Sequence, residues 1–264
     1  TRARVWVCVY WWESVMCWNK EASAVFTVVG FLLTYYHYKK GHRFDGTLFY
    51  SVMELTQFVQ YFLVNDCDWL NRVLTYLGHI LVWTQPILWN NVSYKNTSER
   101  TKPVFECALV MSWITFAVVT ARLVVGELYP SWPVSVGEVG VHETTCTFLG
   151  PHHIAWGFRY ADFKGLQPTF FVWLLLVIVP ALWCDPRRRG IFISIGAAFG
   201  ILTSMAVVGY GDETYAFWCA ISIPIMLVTI FTNTQPVRLE EKKKKQSQQS
   251  KGPAAAAVES KKSK

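Results

Sequence analysis

Of the chain's 264 residues, 52% are hydrophobic and only 16% charged, and 13 are tryptophans, which leaves too little polar surface for a soluble globule of this length. The formal net charge of +7 is concentrated in the C-terminal tail, so the basic balance does not describe a nucleic-acid-binding face and no nucleic-acid partner is expected. The seven cysteines lack CxxC spacing, which gives no support to a zinc ribbon or a dithiol redox pair.

The chain divides into three parts. Residues 1-20 carry Arg2 and Arg4 ahead of a bulky apolar run, and Ala22-Ser23-Ala24 has the look of a small-x-small cleavage site. The run is short, and Glu13, Lys20 and Glu21 interrupt the approach to that site, so an aromatic segment lying in a membrane interface is expected rather than a signal peptide. Residues 21-236 contain seven hydrophobic stretches, at 21-38, 47-65, 69-89, 104-126, 166-184, 190-208 and 214-231. Each approaches the ~20 residues that cross a bilayer core, which predicts an all-α, polytopic bundle of seven transmembrane helices. Basic clusters at Lys39, Lys40 and Arg43, at Lys95, Arg100 and Lys102, and at Arg187 to Arg189 fall in alternate loops, which orients the bundle with its N-terminus outside. Segment 127-165 then becomes a long outer loop. Cys67 and Cys146 share that side and could form one disulfide, with unpaired thiols as the plainer alternative.

Residues 237-264 hold four consecutive lysines, Lys242 to Lys245, then a Gln/Ser stretch and four alanines, a composition that predicts a disordered polybasic tail attracted to anionic lipid. The ending Lys261-Lys262-Ser263-Lys264 resembles a dilysine retrieval signal and points to the endoplasmic-reticulum membrane.

Charged and polar groups inside hydrophobic stretches ask for a partner or a role. In the second stretch Tyr50, Glu54, Gln57 and Tyr61 recur at four, three and four residues and so share one helix face, with Gln60 beside them. In the third, Asn71, Thr75 and His79 share a face, Gly78 allows close approach, and Gln85-Pro86 breaks the helix and frees carbonyls. Glu54 and His79 are therefore candidates for a buried carboxylate-imidazole pair that exchanges a proton or holds a cation or small polar ligand, with Gln57 and Gln60 orienting it and Tyr61, Asn71 and Gln85 as a second tier. The competing reading is a hydrogen-bonded network that only fixes the two helices. Arg122, near the outer end of the fourth stretch, is read as snorkelling to water.

The run Glu54-Leu-Thr-Gln57-Phe-Val-Gln60-Tyr61, followed by Cys67, Asn71, His79, Gln85-Pro86 and later Trp218-Cys219, resembles an uncharacterised family of multi-pass membrane proteins from algae, other protists and their large viruses. The likeness covers mainly residues 50-90 and 215-220. It implies an architecture and the importance of the second and third stretches, and no activity.

Three other readings are carried by particular residues. Gly209, Tyr210, Gly211 and Asp212 resemble a potassium-channel filter, against which stand Val207 in place of threonine and the basic triplet before the segment. His142, Cys146, His152 and His153, with Glu138 or Glu143, would be the ligands of a membrane-embedded lipid metallohydrolase, although no zinc-like spacing supports them. The chain also suits a structural subunit of a membrane complex. The expectation is a transporter or polar-ligand-binding protein rather than an enzyme, without cofactor or resident metal, contacting lipid and capable of assembling into an oligomer or larger complex.

Overall fold

The computed structural model describes residues 20–42, 44–64, 66–95, 97–184 and 187–208, with 211, 213, 214, 216 and 218. Nearly all of the predicted interfacial segment 1-20, most of the seventh stretch and the whole of the tail 237-264 lie outside the described residues, as do Gly209, Tyr210 and Asp212 of the filter-like run. The elements are α1 (Lys20–Lys40), α2 (Asp45–Gln60), α3 (Trp69–Lys95), α4 (Lys102–Leu128), β1 (Cys146–Leu149), β2 (Ile154–Gly157), α5 (Phe170–Ala181) and α6 (Arg187–Val208).

This overturns the seven-helix membrane bundle. Among the described residues there are six helices and a two-stranded sheet, and one helix, Lys102–Leu128, is long and apolar enough to cross a membrane. The reasons are local. The 16 residues of α2 rise only about 24 Å, short of a ~30 Å hydrocarbon core. The apolar segments Phe170–Ala181 and Ile193–Ala206 are shorter than a span. Although α1 and α3 are longer, α1 has charged residues at both ends and His37 and three tyrosines in its last turns, and strongly polar side chains recur along α3.

The ends of α1 and the start of α3 follow ordinary capping chemistry. α1 has Glu21 in its first turn and Lys39 and Lys40 in its last, complementing the helix dipole. It stops at Gly41, whose φ of +68° is the left-handed conformation open to glycine. There Gly41 N donates to the Tyr38 carbonyl at 3.1 Å and His42 N to the His37 carbonyl at 2.9 Å, the paired bonds of a Schellman motif. α1 and α2 pack antiparallel, with Gly30 lying directly against Ser51. At the start of α3, Asp68 accepts from the amide of Asn71 at 2.8 Å as an N-cap.

α3 does not break at Gln85-Pro86 but continues to Lys95. Pro86 lacks the N–H that would bond the carbonyl of Val82, and the indole of Trp173 on α5 donates there instead, at 2.9 Å. Pro180 in α5 likewise frees the carbonyl of Leu176, which receives the amide of Asn90 on α3 at 2.9 Å. Each proline thus creates the acceptor by which the other helix is held.

The segment expected to be an outer loop is part of the core. β1 and β2 pair antiparallel with Cys146 opposite Gly157 and Leu149 opposite Ile154. Ile154, Trp156, Phe158 and Tyr160 are buried, and Gly78 on α3 leaves room for the Trp156 ring, which a Cβ at that position would approach to 3.2 Å. Cys67 and Cys146 are joined by a disulfide with Cα atoms 5.6 Å apart, fastening β1 to the turn before α3.

Candidate functional site

Every side chain predicted for the site is buried except Tyr61, which is half-buried, but the residues do not converge on one centre. Gln60, Asn71 and Thr75 belong to the sheet. Asn71 Nδ2 donates to the carbonyl of Thr147 at 2.8 Å while Asn71 Oδ1 accepts from the Thr147 amide at 2.7 Å, so the carboxamide acts as one more strand residue beside β1. The Thr147 hydroxyl meets Thr75 Oγ1 at 2.7 Å and accepts from Gln60 Nε2 at 2.8 Å, and Gln60 Oε1 accepts from the Trp156 indole at 3.0 Å. With both polar ends of these carboxamides occupied by protein, they hold the sheet rather than face a ligand.

His79 lies in a second network. Its Nδ1 pairs with the Tyr160 hydroxyl at 2.8 Å and its Nε2 with Thr120 Oγ1 at 3.2 Å, and the indole of Trp83 donates to the same Tyr160 oxygen at 3.2 Å. Burial pushes its imidazole down to about 3, so His79 is neutral and serves as one donor and one acceptor in that chain. Both ring nitrogens are taken without Glu54, and the expected Glu54-His79 pair is not formed. Behind this network Arg122 is fully buried rather than snorkelling: its guanidinium meets Glu138 at 3.0 and 2.7 Å, and its Nε donates to the Ala161 carbonyl at 3.0 Å. Gln85 donates to Met53 Sδ at 3.3 Å and accepts from the Trp218 indole at 2.9 Å, and Tyr61 OH lies 2.5 Å from His153 Nδ1.

Glu54 is different. It is wholly buried in α2, and among the described residues neither carboxylate oxygen has a hydrogen-bond partner. Ser23 on α1 lies close enough to favour the carboxylate slightly, but its Oγ makes no well-directed hydrogen bond. One turn along α2, Gln57 donates from Nε2 to the carbonyl of Ala216 at 3.1 Å, while its buried Oε1 has no donor among the described residues. Burial dominates the carboxyl and raises it to about 8, so that Glu54 holds its proton at neutral pH. The two carboxyl oxygens of Glu54 and the Ser23 hydroxyl lie at the α1–α2 seam, and Gln57 Oε1 one turn further along α2, all without a hydrogen-bond partner among the described residues; the oxygens of such a set can be satisfied by a proton, a cation or an ammonium group.

The alternative sites fare differently. Gly211 N donates to Thr214 Oγ1 at 3.2 Å and Thr214 N to the Gly211 carbonyl at 3.0 Å, which makes the described end of the filter-like run a turn. No three His, Cys, Asp or Glu side chains among the described residues are grouped to hold a metal, and Cys146 of the proposed hydrolase set is in the disulfide. Sequence reasoning missed Ser23, Thr147, Trp156 and Tyr160. Ser23 had a signal, since it stands between alanines on a face that also carries Thr27 and Gly30.

Residues 21–238 match the model of the Family of unknown function (DUF5765). The chain is also similar to an uncharacterised protein of Acanthamoeba polyphaga mimivirus, 24% identical over 233 residues that cover 81% of this chain and 94% of the relative. Both agree with an uncharacterised family represented in large viruses, and neither carries information about a membrane. No solved structure matches the chain.

Proposed function

The chain belongs to the family of unknown function DUF5765, and we propose that it binds a proton or a small cation at Glu54, with Gln57 and Ser23 completing the site. The observation that supports this reading is that the buried oxygens of Glu54, of Gln57 one turn away on the same helix and of Ser23 on the adjoining helix have no hydrogen-bond partner among the described residues. A buried carboxylate is costly unless it is neutralised, so the pocket exchanges one positive charge for another rather than standing open. A proton and a metal or ammonium cation then compete for the same oxygens, and cation affinity falls about tenfold for each pH unit below the carboxyl's titration point. Infrared difference spectroscopy of the full chain tests this: a protonated-carboxyl band present at pH 7, absent in Glu54→Gln and displaced by Na+, K+ or an alkylammonium probe supports the site. A carboxyl ionised at pH 7 with no added cation overturns it.

A second reading concerns the partner rather than the ligand. α1, α4 and α6 expose Val25, Leu32, Trp113, Ile114, Phe199 and Leu202, large apolar side chains of the kind that mark interaction surfaces when they are contiguous. We assign lipid acyl chains as the cover, with Lys39 and Lys40 at the basic end of α1 meeting headgroups. Flotation of the protein with phosphatidylcholine/phosphatidylserine vesicles supports the assignment, and a monodisperse protein that ignores vesicles in detergent-free buffer refutes it.

A further inference from the structure

The other end of the α1–α2 hairpin carries an unexplained pair of imidazoles. In a Schellman motif the third residue from the helix end and the second residue beyond the cap come into side-chain contact, commonly an apolar one. Here those positions are His37 and His42, and their ring centroids are 5.4 Å apart at an interplanar angle of 41°. His37 is 3% exposed, yet neither of its ring nitrogens has a hydrogen-bond partner among the described residues, and the buried Nδ1 of His42 has none either. A neutral imidazole brings one donor and one acceptor into the interior, and both are normally satisfied.

We propose that His37 and His42 together bind a divalent transition-metal ion of the Zn2+ or Cu2+ class. Imidazole nitrogens suit these ions, with bonds of about 2.0–2.1 Å, and two rings sharing one tetrahedral ion have centroids roughly 5 Å apart, close to the spacing that the cap already imposes. Water or an exogenous ligand completes the coordination, because among the described residues no third His, Cys, Asp or Glu side chain is grouped with these two. The surroundings are compatible. Lys39 and Lys40 on α1 turn their ammonium groups onto the rings of Tyr35 and Tyr36, at 5.4 and 5.8 Å, and the acidic residue Asp45 stands in the first turn of α2. Burial and the neighbouring His42 hold His37 below the usual histidine range, which keeps it in the neutral form that ligates metal and disfavours a protonated, anion-binding pair.

Metal-free, untagged full-length protein titrated with Cu2+ and followed by pulsed electron paramagnetic resonance tests the site. One ion coupled to two imidazole nitrogens is expected. His37→Ala and His42→Ala should each remove one imidazole and weaken binding tenfold or more, whereas excess Na+, which competes for the carboxylate site above, should leave the two-imidazole signal unchanged, which separates the two sites. Because His37 is buried, circular dichroism checks its variant, and if that variant does not fold, His42→Ala alone decides. Cu2+ that binds the double variant as tightly as the natural protein, or shows no two-imidazole coupling, overturns the proposal.

Discussion

The indole of Trp173 donates to the carbonyl of Val82, the one backbone acceptor in α3 that Pro86 leaves without its helical donor. Trp173→Phe should therefore cost about 1–2 kcal/mol, chiefly as an unmet buried carbonyl. In a Pro86→Ala background the new N–H can serve Val82, and the same substitution should cost about 1 kcal/mol less. Urea unfolding of the four proteins checks this, and strictly additive costs would show that the two residues act independently.

The two-ended bond between Asn71 and Thr147 makes Asn71→Asp a severe change despite its shape. Nδ2 serves two carbonyls, of Leu63 and Thr147, each at 2.8 Å, and aspartate offers them no donor while ionised. A loss of about 3 kcal/mol or more is expected, with partial recovery in acid as the carboxyl regains a proton. Chemical denaturation at pH 7 and pH 4 measures both.

Glu54 and His79 give stability opposite dependences on pH. The folded carboxyl is raised to about 8 from 4.5, so the folded state keeps a proton that the unfolded chain releases; its stabilising contribution is full below pH 4.5 and is lost as pH rises to 8, at most about 5 kcal/mol. The folded imidazole is lowered to about 3 from 6.5, so its contribution is full above pH 6.5 and is lost as pH falls towards 3. Stability should peak near pH 5–6, and Glu54→Gln should flatten the alkaline limb alone. A variant whose alkaline limb matches that of the natural protein would assign the dependence to another group.

The Cys67–Cys146 link closes a loop of sequence separation 79, for which chain entropy alone gives roughly 4 kcal/mol. Cys146→Ser should lower stability by about 2–4 kcal/mol under oxidising conditions and by much less in the presence of reductant. Thermal unfolding with and without dithiothreitol distinguishes the two, and mass spectrometry of the non-reduced peptides verifies the pairing.

Periodicity made much of this site legible and stopped at a definite boundary. The spacings of Glu54, Gln57 and Gln60, and of Asn71, Thr75 and His79, mark faces that are indeed buried. They do not say what each face meets. One partner of each of Gln60, Asn71 and His79 lies more than 70 residues away, in a segment whose mixed composition reads as a loop because strands of four residues leave too short a pattern. Arg122 shows the same gap: nearness to a helix end suggests an escape to water, while Glu138, 16 residues on, is what lets it stay inside. Apolar runs located the helices but overstated their number of spans, since length and polarity along each helix decide that question. The pairing of His37 with His42 was hidden because it depends on the left-handed turn at Gly41.

α2 carries the acceptor cluster at Glu54 and, under two turns later, the two-handed grip of Gln60 on Thr147 and Trp156. A helix that short behaves as a stiff lever. On the proposed reading, a rotation of α2 that carried the Glu54 oxygens around an arriving charge would also turn Gln60 against a strand pinned by Asn71 and a disulfide, so that occupancy at one end of the helix would be felt at the other.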